Sequence, residues 1–120
     1  MHIGWCKCIL QSDCRLNLIN LSHHHFDNLI GVYVIWCGKN KTRIIYVGKG
    51  NIRGKLIEMK SDKKVQKYGP DLFVTWAAVP FDLLDGVESF LCTELNPEIY
   101  NTSNPVSLIS VNLPFSKFYD

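Results

Sequence analysis

No apolar stretch in this chain of 120 residues approaches the roughly 20 that a membrane-crossing helix needs. The opening, Met1-His2-Ile3-Gly4-Trp5-Cys6-Lys7-Cys8, lacks the basic region and apolar block of a secretory signal. Cysteine is sparse and irregular. Its five residues form an odd set with no regular framework, which points to a reducing interior rather than a disulfide scaffold. No internal repeat, linker or low-complexity tract breaks the chain. What is present is 47% hydrophobic against 20% charged residues, enough to bury a core within one domain. The expectation is a soluble, cytoplasmic, single-domain protein with no membrane partner.

Cys6, Cys8, Cys14 and the run His23-His24-His25 carry the atoms that bind zinc, but not at the spacing of structural zinc sites. Core cysteines beside a polar loop is the plainer reading of residues 1–30.

Charge is unevenly spread. Between Lys39 and Lys67 lie ten of the thirteen basic residues, opposed only by Glu58 and Asp62, a local surplus of eight. The remainder holds three basic and nine acidic residues. Such segregation makes a directional field that can steer a polyanion, although a lysine-rich solvated surface would look the same.

From Gly31 the pattern sharpens. Val32, Val34 and Trp36 alternate with Tyr33, Ile35 and Cys37, a strand; Gly38-Lys39-Asn40-Lys41 is turn chemistry, and Arg43 to Val47 is a second strand. An even loop would put Tyr33 and Tyr46 on one face, and a two-residue Lys39-Asn40 turn would set them directly opposite. An odd loop or a bulge would break that relation. Asn51 is placed to cap a helix from Ile52 to about Lys60, and Leu72 to Val79 reads as a third, buried strand. Leu83, Leu84, Val87, Phe90, Leu91 and Leu95 mark the core face of a helix over 82–95. Glu88 sits on the edge of that stripe, where a carboxylate must be paired, lie at a cleft rim or bind a cation. Leu108 to Val111 is a candidate short strand.

A Gly-x-Tyr at a strand start, a Tyr-x-Gly at a strand end, a basic helix and a half-buried helical glutamate together resemble the GIY-YIG nuclease family. Gly31-Val32-Tyr33 and Tyr46-Val47-Gly48 stand for the two halves of its signature, with twelve residues between the tyrosines. The likeness runs on through Lys49-Gly50-Asn51-Ile52-Arg53-Gly54-Lys55-Leu56 and resumes at Glu88-x2-Leu91-x5-Pro97-x3-Asn101.

The resemblance implies an α/β (α+β) fold, a small three-stranded antiparallel sheet flanked by helices. It covers residues 31–101, with residues 1–30 as an extension and 102–120 as a tail packed on the module. It implies a divalent-metal-dependent endonuclease that hydrolyses phosphodiester bonds in DNA with one cation, Mg²⁺ or Mn²⁺. Carried over by position, Glu88 is the metal ligand, Tyr33 activates or orients the attacking water, Tyr46 lines the same pocket and Asn101 supports it. The family's phosphate-gripping arginine falls on Lys55 and a following histidine on Met59; a shift of register would put Arg53 in the clamp instead. Lysine keeps the charge but loses the bidentate fork. Lys49, Lys60, Lys63 and Lys64 would contact the nucleic-acid backbone, and specificity would come from a protein partner, from DNA shape or from residues 1–30. The alternative is a module that keeps the fold and binds nucleic acid without efficient cleavage.

Overall fold

The computed structural model describes residues 1–6, 14–38, 41–99 and 106–115. Asn101, the Lys39-Asn40 turn and Cys8 lie outside the described residues. The elements run β1 (Trp5–Cys6), β2 (Ile30–Cys37), β3 (Arg43–Asn51), α1 (Ile52–Ser61), α2 (Lys63–Gln66), β4 (Phe73–Ala78) and α3 (Leu84–Leu95). Short 3₁₀ turns occupy His24–Phe26 and Phe81–Leu83.

The strands form one antiparallel sheet in the order β1-β4-β2-β3. The α+β class matches expectation, but the sheet has four strands rather than three. The extra strand is short and pairs Trp5 with Ala77 and Cys6 with Trp76, a contact made across the whole chain. The proposed strand at 108–111 does not form. Its backbone turns to α3 instead, where the Ile109 amide donates to the Gly86 carbonyl. Gly86 leaves the room for this approach, since a Cβ there would meet Ile109 and the Ser107 carbonyl.

Alternating side chains on β2 and β3 feed two cores, one on each face of the sheet. Tyr33, Ile35, Ile45, Val74 and Trp76 pack with Ile52, Leu56 and Met59 of α1 and with Leu16, Ile19, Leu21 and Phe26. Residues 14–29 therefore form part of the core beneath α1. Val32, Val34, Ile44 and Val47 face Leu84, Val87, Leu91 and Leu95 of α3, together with Ile3 and Val111. Ile3 and Asn112 meet here too: the Ile3 amide donates to Asn112 Oδ1 at 2.7 Å, and Asn112 Nδ2 donates back to the Ile3 carbonyl at 3.0 Å. Among the described residues no helix is long and apolar enough to cross a membrane. Cys14 is disulfide-bonded, against the expectation of core thiols, while Cys6, Cys37 and Cys92 are free.

The hairpin departs from a two-residue turn in two ways. Cys37 pairs with Arg43, so the connection runs over 38–42, and Ile45 bulges out between the Ile35–Tyr46 and Trp36–Ile44 pairs. Each change alone would flip one tyrosine to the far side of the sheet. Together they cancel: Tyr33 and Tyr46 share a face, offset diagonally, with Tyr33 opposite Gly48 and Tyr46 opposite Ile35.

Candidate active site

The two halves of the motif meet through a glycine. Tyr33 is 1% exposed, and its ring lies where a Cβ on Gly48 would be. Gly31 serves the neighbouring pair of strands, because a Cβ there would collide with the Ala77 carbonyl of β4. Tyr46 stands beside Tyr33 with ring centroids 6.0 Å apart and an interplanar angle of 35°, and the two phenols are hydrogen-bonded. Burial, then the charge and hydrogen bond of Tyr46, then the carboxylates of Glu58 and Glu88 push the Tyr33 phenol far above its ordinary pKa. Tyr33 is therefore a neutral donor at physiological pH, and it lies within the field of both acids.

Past Gly48 the strand runs into Lys49, whose Cα partner is Val32, and so its side chain leaves on the α3 face. Its ammonium reaches Glu88 Oε1 at 2.9 Å and Asp85 Oδ1 at 2.7 Å. Burial pulls the Lys49 pKa down, but the hydrogen bonds and charges of the two acids outweigh it and the net shift is upward. Glu88 is 5% exposed, so the sequence-level requirement for a partner is met by lysine. Cys92, one turn further along α3, has its thiol pushed up to about 11 by burial and then by Glu88, with Lys49 opposing.

Gly50 has φ +124°, a conformation suited to glycine, and the Lys55 side chain folds over it. Asn51 then caps α1 as expected, its Oδ1 accepting from the Gly54 amide at 3.0 Å. That cap fixes which way the basic side chains of α1 point. Lys55 is half-exposed and lies 3.7 Å from Glu58 across one helical turn. Arg53 points elsewhere, donating to the carbonyls of Leu21 at 2.7 Å and His23 at 2.9 Å and to Asp27 Oδ1 at 2.7 Å. Lys60 likewise donates to the Ile19 carbonyl at 3.0 Å. Met59, at the position matched to a histidine, is buried in the core under α1. Lys63 and Lys64 are exposed on α2.

The structure thus divides these residues between the two faces of the sheet: Tyr33 and Tyr46 lie with α1 and its Lys55, while Lys49 and Glu88 meet on the α3 face, with the Glu88 charge still felt by the Tyr33 phenol. It directs Arg53 and Lys60 to the segment over residues 19–27. Two acids were not singled out from the sequence. Asp85 precedes Glu88 by three residues, the spacing that places both on one helical face, and that signal was available. Glu58 is recognisable only once α1 has been laid against Tyr33.

Asp85 and Glu88 against Lys49 leave the cluster one negative charge in excess, and both supply hard oxygen donors of the kind Mg²⁺ or Mn²⁺ takes. Among the described residues no group of three or more His, Cys, Asp or Glu side chains is gathered to hold a metal. A cation here would rest on these carboxylates and on water. Compared with known proteins, the chain matches no family model, no curated protein and no solved structure.

Proposed function

We propose that this chain is a divalent-metal-dependent endonuclease that hydrolyses phosphodiester bonds in DNA. The observation that supports it most is a buried tyrosine, hydrogen-bonded to a half-buried one, that feels the charge of a buried glutamate, with an exposed lysine on the adjoining helix. The order of these residues along the chain is that of the GIY-YIG signature.

In this reading the scissile phosphate enters at the end of the sheet, between the start of α1 and the start of α3. Lys55 releases Glu58, an exposed contact of little energetic weight, and binds a phosphate oxygen. Tyr33, buried and held neutral, fixes the direction of the Tyr46 phenol, and the partly exposed Tyr46 orients a water by hydrogen bonding rather than by removing its proton. Glu88, with Asp85, holds the cation, which when bound would stabilise charge on the phosphate and lower the pKa of a bound water. Lys49 holds Glu88 in place. Lys63 and Lys64 add backbone contacts.

One observation favours a second reading, a nucleic-acid-binding module with impaired cleavage: Lys49 already neutralises Glu88. Supercoiled plasmid incubated with Mg²⁺ or Mn²⁺ separates the two. A nuclease nicks it, and chelation or Glu88→Ala abolishes nicking while salt-sensitive DNA binding persists. Binding with no nicking by the wild-type chain identifies the second.

A further inference from the structure

We propose that a cavity at the turn end of the sheet, not lined by the tyrosine pair, binds a single nucleotide of single-stranded nucleic acid. The cavity has a volume of about 490 Å³, ample for one nucleotide, and its walls include Arg15, Trp36, Tyr68, Asp71 and Phe73. The Trp36 and Phe73 rings are stacked, with centroids 4.8 Å apart and an interplanar angle of 25°. The Arg15 guanidinium lies 5.8 Å from the Phe73 centroid, and its Nη1 is 3.5 Å from Asp71 Oδ1.

Arg15 also supplies the cation of the cavity wall. Its Nε is sealed from solvent and has no hydrogen-bond partner among the described residues. That atom is out of a ligand's reach, so a phosphate oxygen in the cavity would meet the guanidinium through the exposed part of the side chain. On the other side Tyr68 carries two cations against its ring, Arg43 at 5.7 Å and Lys67 at 5.5 Å, and Arg43 in turn holds Glu98 at 3.1 Å. Three cations against Asp71 and Glu98 leave one positive charge in excess. Aromatic walls and net positive charge suit a planar base joined to an anionic phosphate. Inorganic phosphate alone would leave the rings unused and meet Asp71. A strand rises about 3.3 Å per residue, so Trp36 lies about 10 Å along β2 from Tyr33, within the span of a few nucleotides.

This inference rests on the nucleic-acid partner of the reading above and not on cleavage, so its test is run in EDTA. The full chain is titrated with adenosine 5′-monophosphate, with hexathymidylate and with inorganic phosphate, while tryptophan fluorescence is followed. Saturable quenching by the nucleotide and the hexamer, lost in Trp36→Phe and not produced by phosphate, is expected. Tyr68→Leu should weaken hexamer binding about tenfold, as loss of one stacked base does, and Tyr68→Phe should restore it. Arg15→Gln, on a partly exposed side chain, should weaken it by a similar factor without unfolding the protein. No saturable quenching, equal responses to phosphate and nucleotide, or unchanged affinity in both Tyr68→Leu and Arg15→Gln would overturn the inference. Failure of the wild-type chain to nick plasmid would remove the nuclease reading and leave this one standing.

Discussion

The phenol ring of Tyr33 lies across Gly48, the residue directly opposite it on the neighbouring strand. This contact explains why a tyrosine in one strand and a glycine in the next belong to one motif: any side chain at 48 would occupy the ring's place. Gly48→Ala should therefore destabilise the protein by about 1–3 kcal/mol, the usual cost of overpacking. In a Tyr33→Ala background the same change should cost much less. Urea denaturation of the four chains measures the coupling, and equal penalties in both backgrounds would refute the contact.

The Lys49–Glu88 pair makes a second prediction. Glu88 is almost fully buried and Lys49 about one-third exposed, so Lys49→Met leaves a carboxylate with only partial access to water. Breaking a fully buried pair costs roughly 3–5 kcal/mol, and partial exposure reduces the expected loss to about 2 kcal/mol. Adding Glu88→Gln removes the stranded charge and should recover at least half of that loss in chemical denaturation.

Arg53 and Lys55 sit two residues apart and should behave oppositely. Arg53→Ala removes three hydrogen bonds to residues 21–27 and should speed amide exchange there. Cleavage by the protein that remains folded should be little changed. Lys55→Ala should leave stability within about 0.5 kcal/mol, since its ion pair with Glu58 is exposed, and should lower cleavage about a hundredfold. Lys55→Arg is the variant that restores a phosphate fork. Met59→His is not a companion to it, because the side chain at 59 is in the core.

Alkaline titration provides a fourth handle. The Tyr33 pKa is raised in the folded chain, so the native state favours its neutral form. That contribution is complete below the unfolded value of about 10 and is lost as pH rises above it; Lys49, also raised, acts with the same sign. Among the five tyrosines, one should resist ionisation until the protein unfolds, as read by phenolate absorbance. Tyr33→Phe should remove that late step.

Local pattern made much of this legible in the sequence. Alternation marked β2, short apolar runs marked β3 and β4, the Asn51 cap fixed the start of α1, and helical spacing exposed Glu88 as a carboxylate in need of a partner. Distant relations were not legible. Strand β1 is two residues whose only justification is β4, far along the chain. The Ile45 bulge has no sequence mark, yet with the 38–42 connection it restores the shared face of Tyr33 and Tyr46. Arg53 looked like a candidate for the phosphate clamp because its partners, Leu21, His23 and Asp27, come from a segment without periodic signal.

The account turns on whether Glu88 acts on the substrate or serves only to balance Lys49. Glu88→Gln keeps the shape and a hydrogen-bond acceptor for the ammonium, so a folded protein is expected, verified by its thermal transition. The decisive measurement is its initial rate of plasmid nicking in Mg²⁺ beside the wild-type rate. Loss of a metal-binding charge worth several kcal/mol predicts a fall of about a hundredfold or more. A folded Glu88→Gln chain that nicks as fast as wild type would contradict the assignment.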